Sequence, residues 1–201
     1  MMAPMSQVPD ASRFRNFADL ARSQVRGRDY EICVRRRAAS PIAIIAPHGG
    51  EIEDGTSQMA RAIAGDDFNL YCFEGTRPSK NYTALHLTSH RFDEPECLSL
   101  IASCPVVIAV HGCGGEQPQV LLGGLDVPLR DLLAASLAAA EIRAETSGHR
   151  YPAVRPDNIC NRGARGRGVQ LEITHPLREG REAARLASAV RSVLCSITAP
   201  A

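Results

Sequence analysis

Two apolar, β-branched runs constrain this chain most: IAIIA at 42–46 and VVIAV at 106–110. Neither holds a polar residue. A strand with one wet face would alternate, so these read as strands buried on both faces. Such strands need helices above and below, and helical patterns lie between them. TSQMARAIAG at 56–65 has Thr56 or Ser57 placed to cap it and Gly65 to stop it. Further helices are expected over 12–25, 95–104, 126–144 and 176–197. Further strands are expected over 30–37, 69–75 and 169–174, and the alternating ALHLTS segment at 84–89 reads as another. The fold class is therefore α/β, one sheet covered on both faces.

At 201 residues and 44% hydrophobic, the chain fits one domain over 1–201, with residues 1–28 as a helical N-terminal extension. Its net charge of +1 argues against a general nucleic-acid binder. No apolar run approaches the ~18 residues of a membrane span, and the first residues lack a leader pattern. The seven cysteines are scattered without a CxxC pair, as in a reduced, cytoplasmic protein. A monomer is expected.

Both apolar runs end in the same way, as APHGG and as VHGC, each presenting a histidine followed by glycine. In open α/β sheets, ligands bind beyond the carboxyl ends of strands. Imidazole is a common zinc ligand, and a catalytic zinc often takes two histidines and a glutamate. His48 and His111 supply the imidazoles, and Glu51 or Glu53 the carboxylate. In VQLEIT at 169–174, Gln170 and Glu172 share one face if the strand alternates. A carboxylate in such a strand is costly unless it is paired or used, and beside a metal-bound water it would serve as general base. The segment RPDNICNRGARGRG carries four arginines into that strand, which points to an anionic substrate. Arg162, beside Asn161, is the preferred clamp.

These blocks carry a family resemblance. APHGG-x-IE-x-GTS, YCFEG, LHLTS, VHGC, LGGLD and PDNICNRG…GVQLEIT…LR resemble the poly-γ-glutamate hydrolases, in family order from about residue 30 to 178. The resemblance implies a zinc carboxypeptidase-like fold, with a mixed, mostly parallel sheet and helices on both faces. It also implies a zinc hydrolase acting on γ-glutamyl amides, with a polyanionic substrate. Carried over by position, His48, Glu53 and His111 would hold Zn2+, Glu172 would act as base, and Arg162 with Asn161 would bind substrate. The family usually has glycine where this chain has Glu51, which creates a second His-x-x-Glu spacing and a competing ligand.

Two other readings stay open on the sequence. Cys113, two residues past His111, permits a Cys–His hydrolase. His-Gly-Gly turns also permit an anion-binding module without catalysis, in which Glu172 has no purpose.

Overall fold

The computed structural model describes residues 13–198. Seven strands form one sheet: β1 (Tyr30–Arg35), β2 (Ile42–Gly50), β3 (Asn69–Gly75), β4 (Val106–Cys113), β5 (Gln119–Gly123), β6 (Arg143–Glu145) and β7 (Val169–Thr174). The order is β1-β3-β2-β4-β7-β5-β6. The pairs β2–β3, β2–β4, β4–β7 and β5–β6 are parallel, while β1–β3 and β5–β7 are antiparallel. This is the mixed, mostly parallel sheet expected.

Side chains alternate between two cores. Ile42, Ile44 and Ala46 of β2, with Ile108 and Val110 of β4, face α2 (Thr56–Ala64), α5 (Val127–Ala139) and α7 (Ala183–Ser196). Ala43 and Ile45, with Val107 and Ala109, face the other way. There they meet α1 (Phe17–Leu20), α3 (Asn81–Leu85), α4 (Pro95–Ile101) and Ile159. Helices thus cover both faces, which is why β2 and β4 carry no polar residue until they end. β2 is followed by β3 on one side of it, and β3 by β4 on the other. The switch in direction falls between β2 and β4, where open α/β sheets leave a crevice.

Several sequence expectations are corrected. The helix over 12–25 shrinks to one turn; residue 12 itself lies outside the described residues. Asp29 accepts from the Val25 N–H at 2.8 Å and draws the chain into a turn. The alternating 84–89 segment is not a strand. α3 ends at Leu85 with His86 as its C-cap, and Leu85 and Leu87 enter the core while His86 and Thr88 face the cleft. The alternation is real, but no strand pairs with it. The short β5 and β6 went unrecognised. The closing helix breaks at the extended Gly180 into α6 (His175–Glu179) and α7. Finally, Gly55 rather than Thr56 or Ser57 occupies the N-cap of α2.

The two hydroxyls tie down the preceding loop instead. Thr56 Oγ1 donates to the carbonyls of His48 (3.1 Å) and Glu53 (2.7 Å), and Ser57 Oγ accepts from the Gly50 N–H (3.0 Å). A Cβ on Gly49 would lie 2.2 Å from Ser57 Oγ and 3.0 Å from the Phe73 carbonyl oxygen, so only glycine fits there. Gly49→Ala is expected to lower stability by roughly 1–3 kcal/mol, as overpacking does, while Gly114→Ala, with open space around it, is neutral. Urea denaturation of the two variants checks this; equal midpoints would contradict the packing described.

Candidate metal centre

β2 and β4 pair only as far as Ile45 and Ala109. Beyond that point they part, and their last residues border a cavity of about 520 Å³. Against β3, β2 gains one residue between Ala46 and Gly49: three steps on β2 match two on β3. Pro47 lies in this bulge, and it has no N–H to give to a ladder.

The extra residue changes which face His48 uses. By strand alternation His48 would follow Ile42, Ile44 and Ala46 towards α2. One inserted residue reverses the alternation. His48 instead meets Leu87 and the ring of Phe92, on the face opposite α2. His111 and Glu172 reach that face without a bulge. They are register partners on β4 and β7, while their neighbours Val110, Leu171 and Ile173 fill the opposite core.

Three donor atoms converge there. His48 Nδ1 lies 2.9 Å from Glu53 Oε1 and 3.1 Å from His111 Nδ1. His111 Nδ1 lies 3.7 Å from Glu53 Oε2. Both histidines are 2% exposed, so water cannot rescue a poor arrangement. The outer nitrogens are occupied: His48 Nε2 sits 2.8 Å from the Leu87 carbonyl oxygen, and His111 Nε2 sits 3.3 Å from Ser89 Oγ. A carbonyl only accepts, so His48 Nε2 carries its proton and a neutral ring turns the Nδ1 lone pair inward. Lone pairs of His48 and Glu53 then face one another, beside a second imidazole. A shared proton satisfies one such contact, whereas a cation satisfies all three. Outer partners that fix ring and tautomer are usual around metal-ligating histidines. Two imidazoles and a carboxylate suit zinc or a similar divalent ion.

Among the described residues, His48, Glu53 and His111 form the one group of this kind, with ligand atoms within 4.8 Å of each other. This separates the two candidate glutamates. The exposed Glu51 accepts from Asn81 Nδ2 at 3.1 Å. Glu53 accepts the Gly112 N–H at 2.7 Å through Oε2 and turns Oε1 to His48.

Arg178, 9% exposed, ties the centre from behind. It donates from Nε to the Asp54 carbonyl (2.6 Å) and from Nη1 to the carbonyls of Cys113 (3.4 Å) and Ile173. One guanidinium thus joins the ligand loop to the ends of β4 and β7. Sequence reasoning noted Arg178 only as part of a matching block.

The two buried carboxylates are driven apart. Burial pushes Glu53 up, but positive charge on the two imidazoles, when they are protonated, outweighs it and holds the group well below the usual carboxylate range. Burial pushes Glu172 well above that range, and the Glu53 charge adds to it. Opposed environments of this kind separate a permanently charged group from a proton-exchanging one. Asn158 Nδ2 donates to Gln170 Oε1 (3.1 Å), and Gln170 Nε2 donates to Glu172 Oε1 (2.9 Å), which orients the Glu172 carboxyl.

Asn161 and Arg162 do not join the cleft. Asn161 is 1% exposed. Its Oδ1 accepts from the N–H groups of Leu125 and Gly168, and its Nδ2 donates to the carbonyls of Ala153 and Arg155. Those bonds hold the cleft wall at 150–155 but leave no group for a substrate. Arg162 donates to the Phe92 carbonyl at 3.3 Å, away from the cavity. The arginines bordering the cavity are Arg150 and Arg155. Arg155 is bonded twice to Asp157 (2.9 and 2.7 Å). Arg150 is exposed, packs over the Tyr151 ring (5.0 Å), and is without a carboxylate partner among the described residues. No spacing rule distinguishes these from the other arginines of the segment.

Cys113 has no imidazole within hydrogen-bond reach of its Sγ among the described residues, and burial pushes its thiol up to about 12. The thiol therefore stays protonated at neutral pH, and its thiolate fraction rises about tenfold per pH unit. Iodoacetamide at pH 7.5 is expected to leave Cys113 unmodified, as read by peptide mass spectrometry. Rapid alkylation there would restore the Cys–His reading.

Residues 14–184 match the family model described as poly-gamma-glutamate hydrolase. Among curated proteins, the chain is 36% identical to the UPF0714 protein YmaC of Bacillus subtilis over 178 residues, covering 87% of this chain and 73% of that one. It is 32% identical to the UPF0714 protein YndL of the same organism over 181 residues, covering 89% and 70%. A bacteriophage poly-gamma-glutamate hydrolase superposes with a TM-score of 0.87 at 31% identity, covering 92% of this chain and 97% of that chain. Zinc-free YNDL superposes with a TM-score of 0.85 at 28% identity, covering 92% and 98%. An N-formylglutamate amidohydrolase from Ralstonia eutropha JMP134 shares the fold at a TM-score of 0.53 and 14% identity, covering 84% and 96%. With a family match over most of its length, this chain belongs to the poly-gamma-glutamate hydrolase family.

Proposed function

We propose that this protein is a zinc-dependent hydrolase of γ-glutamyl amide bonds, with poly-γ-glutamate as substrate. The observation that carries the reading is the inward meeting of His48 Nδ1, His111 Nδ1 and the Glu53 carboxylate, with a second buried carboxylate, Glu172, on the neighbouring strand. The zinc-free state named for YNDL supports the choice of metal.

His48, Glu53 and His111 would hold the zinc. Bound there, it would acidify a water and polarise an amide carbonyl. Glu172 takes the proton of the attacking water, and its raised affinity for protons suits that step. It then returns the proton to the leaving nitrogen, so no covalent intermediate forms. Gln170 keeps one Glu172 oxygen engaged, which fixes the direction of the other. Arg150, not Arg162, receives a substrate carboxylate at the cleft mouth, since its guanidinium has no carboxylate partner among the described residues. Asn161 contributes only by holding the wall that carries Arg150 and Tyr151.

An anion-binding module without metal is disfavoured by the same charges. Glu53 and Glu172 put two buried carboxylates where such an anion would sit.

Metal analysis and kinetics test the reading together. Wild type is expected to carry about one zinc per chain, lost in Glu53→Gln and on chelation. Glu172→Gln keeps the zinc, and its kcat on γ-glutamyl oligomers falls on the order of 10²- to 10⁴-fold. Arg150→Met raises KM and weakens the dependence of KM on salt, with kcat nearly unchanged. An active Glu172→Gln, or a wild type that binds no divalent metal, would sink the proposal.

A further inference from the structure

A third imidazole stands beside the metal centre, and neither the ligand set nor the proton transfers use it. His86 follows the last turn of α3. Its ring stacks on His48, with centroids 4.2 Å apart, and its other neighbour is the Tyr82 ring at 4.6 Å. Its Nε2 lies 3.8 Å from Glu53 Oε1, too far for a hydrogen bond. Its Nδ1 is fully buried and has no hydrogen-bond partner among the described residues. The residue borders the cavity that also holds Glu172 and Arg150.

The ring is therefore fixed on both faces but makes no hydrogen bond among the described residues, which is costly for a buried imidazole unless a ligand completes it. Its position excludes simple duplication of a ligand. His86 is not part of the group whose donor atoms lie within 4.8 Å of one another. It flanks that group, stacked on His48 and with its Nε2 3.8 Å from Glu53 Oε1. A neutral imidazole carries a single N–H, on one of its two ring nitrogens. Placing that hydrogen on Nδ1 would bury a donor with nothing to receive it. On Nε2 the hydrogen points towards the cleft and Glu53.

We propose that His86 is a catalytic residue: its Nε2–H donates to the carbonyl oxygen of the scissile amide and holds the negative charge that develops there. No bond to His86 forms or breaks, and no proton leaves it. Donors fixed where charge develops act most strongly in a buried site, because they need no reorientation during reaction. The stacking of His86 between His48 and Tyr82 gives that fixity. This inference rests on the amide-hydrolase reading above.

The test compares wild type, His86→Phe and His86→Gln as full, zinc-loaded chains. Zinc content is measured first. kcat and KM on a γ-glutamyl oligomer follow. Affinity for a phosphinic γ-glutamyl analogue, whose tetrahedral anion imitates the developing charge, is measured by calorimetry. All three chains are expected to hold zinc. His86→Phe keeps the flat ring but lowers kcat about 10²- to 10³-fold, with KM within a few-fold, and weakens the analogue by a similar factor. His86→Gln, which keeps an N–H near the same place, recovers about tenfold of the loss. Loss of zinc in His86→Phe would overturn the proposal and assign His86 to the ligand set. An unchanged kcat would overturn it as well. A wild type that binds zinc yet cleaves no γ-glutamyl bond would defeat the proposed function; the analogue then decides on His86 alone, and equal or undetectable affinity in wild type and His86→Phe would overturn the role.

Discussion

A single inserted residue is the constraint on which the site depends. Between Ala46 and Gly49, β2 carries one residue more than β3, and this places His48 on the same face as His111 and Glu172. Without it, His48 would enter the core beside α2, and the parting of β2 from β4 after Ile45 and Ala109 would expose only one imidazole. Proline belongs at the irregularity because it lacks the donor that a regular ladder would need. The rest of the local sequence serves this turn. Gly49 and Gly50 let the chain pass close to β3. Thr56 and Ser57 bind the loop through its own backbone. Glu53 is thereby carried back to its strand end, where the Gly112 N–H meets it.

Charge explains how so polar a cluster is tolerated in a buried place. Glu53 and Glu172 would repel one another, and His48 and His111 are nearly sealed from water. Arg178 supplies one fixed positive charge from behind, bonded to carbonyls of the three segments it joins. A divalent cation in front would supply the rest. In the proposed hydrolase, the opposed environments of Glu53 and Glu172 would divide their labour, one staying charged to hold the ion and the other exchanging a proton.

Much of this was legible in the sequence because it follows from periodicity. The apolar runs at 42–46 and 106–110 could be strands only if covered twice, and their shared His-Gly endings marked one end of the sheet. Alternation placed Glu172 on the cleft face, since Val169, Leu171 and Ile173 claim the other. The 84–89 segment misled for an instructive reason: Leu85 and Leu87 are buried in alternation, but the chain there passes beneath the histidines instead of pairing, with the Leu87 carbonyl given to His48. Asn161 and Arg162 sit in a matching block, yet their side chains are consumed by backbone groups. Which arginine of several borders a cleft is decided by tertiary placement, not by neighbours in sequence. Glu51 and Glu53, equivalent by spacing, likewise differ only in space: Asn81 donates to the first and the Gly112 N–H to the second.

In the proposed function, three inward-facing donor atoms hold one divalent ion. A crystal structure of the zinc-loaded protein, with anomalous scattering measured on both sides of the zinc edge, tests it most directly. The expected result is a single peak bonded to Nδ1 of His48, Nδ1 of His111 and a Glu53 oxygen, at roughly 2.0–2.2 Å from each. A peak bonded through Nε2, one centred on Glu51, or none between these residues in a fully loaded sample would contradict it.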